Sequence, residues 1–160
     1  MKMLVLGAPR RLVTDTVRTV CVAISALQPA TPVRVVLMNT TGNRNPDAAE
    51  QPPLSQRIVV FVVRWLLPPH LDNEEAARYL RVGVGQHNAH IEWVAVRPDG
   101  LIDEAEVSDY DLHRSPIRSV IFNAGSTSRI NVAHCMAELG VGGALWQSWK
   151  GQMPVIYNRG

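Results

Sequence analysis

Several large classes of protein are excluded by what this 160-residue chain has little of. It has two cysteines, Cys21 and Cys135, and no group of thiols at metal-ligand spacing. Charge is sparse, 19% of residues with a net charge of +2, and Lys and Arg are scattered along the chain, which gives nucleic-acid binding little support. Long apolar runs are missing too. The strongest, RIVVFVVRWLL, is interrupted by Arg64 and stopped by Pro68, short of the ~18–20 residues a bilayer requires. The N-terminus has no small-residue cleavage site of the secretory kind, so the sequon Asn39-Thr40-Thr41 carries no expectation of glycosylation and a cytoplasmic location is expected.

Glycine is scarce where it would matter most. The opening MKMLVLGAPRR has the look of a strand turning into a helix, but a turn that cradles a pyrophosphate needs the spacing G-x-G-x-x-G, and only Gly7 is present. The 46% hydrophobic content excludes a disordered or collagen-like chain, and the length fits one domain with a sizeable core. Both cysteines lie in helix-like patterns, where a thiol behaves as a small hydrophobe. The pair His87-x-x-His90 stands in loop-like sequence without a thiol or carboxylate nearby, and no metal is expected.

Periodicity sets out an alternation of elements. Val13, Val17, Val20, Cys21, Ile24 and Leu27 recur at offsets of three and four, the mark of an amphipathic helix ended by Gln28-Pro29. VRVVLM, residues 33–38, is a β-branched run suited to a strand buried on both faces. Residues 54–67 are helical or extended by periodicity alone, and their length, with Ser55 and Gln56 at the start, favours a helix, broken by Pro68 and Pro69. Asp72 with Glu75 resembles a capping box, and Ala76, Tyr79 and Leu80 mark one face of a helix reaching about Arg81. IEWVAV, residues 91–96, is a second buried strand, and RPDGLIDE after it reads as a loop. EVSDYDL and RSVIFNAG suggest a hairpin or strand pair. Ser128 can cap a helix carrying Val132, Cys135, Met136 and Leu139, ended by Gly140 to Gly143, and MPVIY makes a last strand. The expectation is an α/β fold with parallel strand pairing.

Ligands of open α/β sheets sit beyond the carboxyl ends of the strands. Two such ends are visible: Asn39-Thr40-Thr41-Gly42, with small amide and hydroxyl side chains, and Arg97-Pro98-Asp99-Gly100-Leu101, a rigid turn. Each reads equally well as a surface turn. Trp146 and Trp149 at spacing i, i+3 read as packing residues. Arg129 is either a partner of Asp99 or Glu104 or a solvated charge, the latter being the default.

Taken in order, VRVVLMNTTG, DNEEAARYLR, IEWVAVRPDGLID, STSRINVAHCMAEL and WKGQMPVIYN resemble the successive landmarks of the second half of atypical short-chain dehydrogenases/reductases, the NAD(P)H-binding group related to flavin reductases and NmrA-like proteins. The resemblance spans roughly residues 10–160. It implies a Rossmann-like parallel sheet with flanking helices, an NAD(P)H cofactor and a small-molecule substrate. In its register Met38 ends the fifth strand and Arg97 the sixth. The residues near the cofactor would be Asn39, Thr40, Thr41, Asn73, Pro98, Asp99, Gly100 and Leu101. Thr40 and Thr41 fall near the family's serine, and its Tyr-x-x-x-Lys pair falls on Pro69 and Asn73. A general acid typically contributes ~10²–10⁴ in rate, so that loss leaves the catalytic acid unassigned.

The resemblance also implies that the family's glycine-rich unit and first strands precede the part matched here. MKMLVLGAPRR then reads as the connection after the fourth strand, and Gly7 as no part of a cofactor cradle. Weak or lost dinucleotide affinity is expected, together with an exposed sheet edge that recruits a second copy or another partner. The alternatives are a non-catalytic interaction or regulatory domain on the same scaffold, or a truncated product.

Overall fold

The computed structural model describes residues 11–48, 50, 68–119 and 123–159. The amphipathic stretch forms helix α1, Leu12–Leu27, which buries Thr14, Val17 and Cys21 and ends with Gln28 in the left-handed conformation. Strand β1, Val33–Met38, follows the β-branched run. Helix α2, Pro68–Arg78, continues into one wider π turn, Tyr79–Val84. Strand β2 is Ile91–Pro98, β3 Gly100–Ile102, β4 Tyr110–His113 and β5 Ser126–Ser128. Helices α3, Arg129–Val141, and α4, Ala144–Trp149, precede the last strand β6, Val155–Asn158.

The main sheet has the order β1-β2-β6-β4, with β1, β2 and β6 parallel and β4 antiparallel to β6. Strand β2 is its centre, and every residue of it except Glu92 is buried. Successive side chains of a strand face opposite ways, so β2 feeds two cores. Ile91, Trp93 and Ala95 meet Val17 and Cys21 of α1 and Ala76, Ala77 and Leu80 of α2 and its extension. Val94 and Val96 meet Val132, Cys135 and Leu139 of α3, together with Trp146 and Ile156. The result is a sheet covered by helices on both faces, the arrangement that a parallel sheet needs to bury its apolar surface.

Local chemistry closes each layer. Ser128 caps α3 by accepting from the N–H of Asn131 at 3.2 Å. At the other end Arg34 of β1 donates to the carbonyls of Gly140 and Val141 at 3.2 and 2.8 Å, satisfying groups the helix leaves unpaired. Gly142, at φ +102°, lets the guanidinium in, since a Cβ there would overlap it. Trp146 is fully buried, with its indole N–H donating to Glu92 at 2.6 Å, so it is the packing residue its spacing indicates.

Four expectations are corrected. Pro68 and Pro69 open α2 instead of preceding it, because a residue without an N–H costs nothing in a first helical turn. Asp72 therefore lies inside α2 and caps another helix: its carboxylate accepts from the N–H groups of Val13 and Thr14 at 2.8 and 2.9 Å, at the start of α1. Among the described residues EVSDYDL and RSVIFNAG do not pair with each other, and none of RSVIFNAG is in a strand. Tyr110–His113 lies against β6, and Ser126–Ser128 lies parallel to Gly100–Ile102, which makes part of the expected RPDGLIDE loop a strand. Alternation shows that a segment is extended but not which edge receives it. Finally, β1 is half-buried instead of buried on both faces, and among the described residues it pairs only with β2. The helix expected over 54–67, the opening MKMLVLGAPR and residues 120–122 of RSVIFNAG lie outside the described residues.

The Asp72 contact has a testable sign. Burial pushes its carboxyl pKa up, but hydrogen bonds from Thr14 and Val13 and the charge of Arg11 outweigh it, and the net shift is downward. A depressed folded-state pKa adds stability above the unfolded carboxyl value near ~3.9, and that increment is lost as pH falls through the folded value. Asp72→Asn is expected to lower stability at pH 7 by roughly 1–2 kcal/mol and to flatten the acid limb of the stability curve below about pH 4, as read by urea melts.

Candidate functional site at the strand ends

The carboxyl ends of β1 and β2 lie side by side. The register that pairs Met38 with Val96 carries on past the strand, with Asn39 N–H on the Val96 carbonyl at 2.7 Å and Thr41 N–H on that of Pro98 at 3.1 Å. Asn39, Thr41, Asn43 and Asn45 are buried there, a run of polar side chains that burial obliges to find partners. Asn39 accepts from the Thr40 N–H at 2.8 Å and from the Asn43 side-chain amide, and donates to the Asn73 carbonyl at 2.9 Å. That last bond ties β1 to α2. The Thr41 hydroxyl donates to Asp99 at 3.2 Å, and the other oxygen of Asp99 accepts from the Gly125 N–H at 2.8 Å.

Beneath these loops lies a charge. The Arg97 side chain has no solvent exposure and its partner Glu50 has 8%. All five guanidinium N–H groups have acceptors. Nε donates to the Met153 carbonyl at 2.8 Å. Nη1 donates to the Asn43 carbonyl at 2.9 Å and to Glu50 at 3.2 Å, and Nη2 to Glu50 at 2.7 Å and to the Arg114 carbonyl at 3.2 Å. Glu50 in turn accepts from the Asn45 N–H at 2.8 Å. One side chain thus fastens the loop after β1, the segment before β6 and the segment after β4 to the end of β2.

The structure brings six of the eight expected residues into this cluster: Asn39, Thr40, Thr41, Pro98, Asp99 and Gly100. Asn73 joins through its backbone carbonyl. Leu101 is carried away on β3, with its side chain exposed. Few of the polar groups are open to a ligand. Asn39, Thr41 and Asp99 are engaged internally, while among the described residues the Thr40 oxygen accepts only from the Gly42 N–H at 3.3 Å and its own O–H has no acceptor. The Asn73 side chain has no partner among the described residues. These two groups could hydrogen-bond a hydroxyl or a carboxamide.

Other reactive side chains are quiet. Burial, then the charge of Glu138, pushes the Cys135 thiol up to about 12, and burial raises Cys21. Tyr110 is pushed up to about 12 by burial, with smaller contributions from Cys135 and Glu138. Arg129 pairs with Asp103 at 2.7 Å on the exposed surface instead of with Asp99 or Glu104. Sequence reasoning missed the Arg97–Glu50 pair. The signal available was a charge ending an eight-residue strand of otherwise buried character, since a charge in such a position must be paired.

This is the fold of the Rossmann-like short-chain dehydrogenases and epimerases. Similar solved structures include a short-chain dehydrogenase/reductase from Veillonella parvula in complex with NADP, at 15% identity and TM-score 0.60 over 95% of this chain and 61% of that one. A candidate NAD-dependent epimerase/dehydratase from Bacillus halodurans matches at 18% identity and TM-score 0.56, over 92% of this chain and 53% of that one. A candidate NADH-flavin reductase from Streptococcus pneumoniae matches at 14% identity and TM-score 0.60, over 96% of this chain and 69% of that one. The chain therefore spans roughly half to two thirds of the length of these structures. No protein-family model and no curated protein matches the sequence. No helix among the described residues is long and apolar enough to cross a membrane.

Removing one member of a buried ion pair strands the other, which costs about 3–5 kcal/mol. Arg97→Met is expected to fall in that range or above it, because three backbone carbonyls lose their donor as well. Glu50→Gln, which keeps an acceptor beside the guanidinium, is expected to cost less. Chemical denaturation of the two variants checks the order.

Proposed function

We propose that this chain supplies the nicotinamide-facing strand ends of an NAD(P)H-binding, oxidoreductase-like protein of the atypical short-chain dehydrogenase group. The observation that carries the reading is the open Thr40 hydroxyl and Asn73 side chain at the carboxyl ends of β1 and β2, in a fold shared with a structure that holds NADP. When bound, the cofactor would supply hydride. The chain would position it through Thr40, Asn73 and the backbone around Pro98 and Gly100. Pro69 and Asn73 stand where the group's tyrosine and lysine would, so this chain brings no phenol and ammonium pair to protonate a carbonyl. Substrates whose reduction needs no such acid, flavins or quinones, suit it best.

The sequence has no G-x-G-x-x-G turn for the pyrophosphate, and affinity should be weak. Titration with NADPH, followed by its fluorescence, is expected to give a Kd above roughly 0.1 mM that rises severalfold in Thr40→Val and Asn73→Ala. Sub-micromolar binding, or binding indifferent to both substitutions, would overturn the proposal.

A second reading is favoured by exposed apolar side chains. Leu12, Val22 and Leu27 of α1 are 59%, 63% and 80% exposed, and Val33 and Met38 of β1 are also exposed. Such surface, beside a strand that among the described residues is paired on one side, suits a second copy or another protein, in an interaction role that needs no turnover. Light scattering at micromolar concentration is expected to show a dimer or larger species. A monodisperse monomer is the outcome that rules out self-association.

A further inference from the structure

The turn that carries Thr40 leads straight into an arginine. The Asn43 N–H donates to the Thr40 carbonyl at 3.0 Å, which closes residues 40–43 into a turn, and Arg44 follows directly. The Asn43 carbonyl, part of the peptide that joins it to Arg44, accepts from Nη1 of the buried Arg97 at 2.9 Å. Nη2 of the same group donates to the carbonyl of Arg114 at 3.2 Å. One planar fork thus holds the backbones of Arg44 and Arg114 beside each other at the strand ends, although one comes from the loop after β1 and the other from the segment after β4.

Both side chains are exposed, and neither has a hydrogen-bond or ion-pair partner among the described residues. The described carboxylates of this neighbourhood are already taken. Glu50 pairs with Arg97 and Asp47 with Arg81, at 2.7 and 2.9 Å. Asp99 is the one without a cation, and its two oxygens accept from the Thr41 hydroxyl and the Gly125 N–H instead. Two guanidinium groups are therefore left without partners on the rim that carries the Thr40 hydroxyl.

We propose that Arg44 and Arg114 together take a phosphate monoester carried by the substrate, so that a phosphorylated substrate is the preferred one at the strand ends. A phosphate monoester holds about −1.5 to −2 charge at pH 7 and presents three acceptor oxygens, which two forked donors match. A lone carboxylate would leave one of the two cations over. The proposal rests on the strand ends being the reaction site and adds what their substrate carries.

Riboflavin 5′-phosphate and riboflavin, fluorescent flavins that differ only in this group, are the probes, titrated into the intact chain without NADPH. The phosphorylated flavin is expected to bind about tenfold tighter or more. Arg44→Gln and Arg114→Gln should each weaken it about fivefold or more and leave riboflavin unchanged, with the Tm of the parent, because neither side chain has an internal partner to lose. Arg78→Gln removes an exposed cation of α2 outside this rim and should leave both flavins unchanged. Equal affinity for the two flavins, no binding of the phosphorylated one up to about 1 mM, or a loss in Arg78→Gln as large as in the other two variants overturns the proposal. The 2′-phosphate of the cofactor is the other source of the same chemistry. If Arg44→Gln and Arg114→Gln weaken NADPH but neither NADH nor the phosphorylated flavin, the pair belongs to the cofactor and the proposal is overturned as well. NADPH binding indifferent to Thr40→Val and Asn73→Ala, with the discrimination between flavins intact, sinks the cofactor reading alone.

Discussion

A guanidinium sealed from solvent holds the carboxyl ends of this sheet together. Taking Arg97 out of water costs several kcal/mol, and the cost is offset only because each of its five N–H groups meets an acceptor. Those acceptors come from three separate stretches of chain. Had the partner been a lone carboxylate, the remaining donors would be orphaned and the site would favour a Met or Leu. The backbone carbonyls of Asn43, Met153 and Arg114 are what make a charge preferable at this position. They in turn are buried groups that would lack donors without it. The loop after β1, which carries most polar side chains of the strand-end cluster, is shaped by this exchange.

The same economy explains why so little of the cluster faces outward. Buried polar groups must be satisfied, and in a chain with this many short amides the nearest partners are one another. Asn39 uses its amide to join Thr40, Asn43 and α2, and Thr41 and Asp99 join the loop to Gly125. Residue types that could recognise a nicotinamide carboxamide are the ones a tight turn recruits for itself. The fold therefore decides which survive as ligand groups, and it leaves Thr40 and Asn73.

How much of this was legible follows from the range of each interaction. Helix α1, strands β1 and β2, the Ser128 cap and strand β6 rest on periodicity within one segment, and they appear where the spacing puts them. The resemblance to short-chain dehydrogenases anticipated the Rossmann-like sheet, and the structures similar to this chain share that fold. Several of the errors are of partnership. Asp72 carries the signature of an N-cap, which it is, but for a helix 58 residues earlier in the chain. Tyr110–His113 is extended as its alternation requires, yet it pairs with a strand distant in sequence. Glu50, 47 residues before Arg97, has no local feature that points to its partner.

Tyr157 shows the opposite case, a polar atom that the fold places but does not satisfy. Its ring is held by Gly125 and by the alternation of β6, which turns it to the face opposite Ile156. Orientation of the hydroxyl follows from packing, not from a hydrogen bond. The Arg97 site, by contrast, is rigid because every donor is used, and such a site has nothing left to offer a ligand. Binding capacity in this chain should therefore be sought where packing fixes a polar group and no internal partner consumes it. By that criterion the strand ends contribute two side chains.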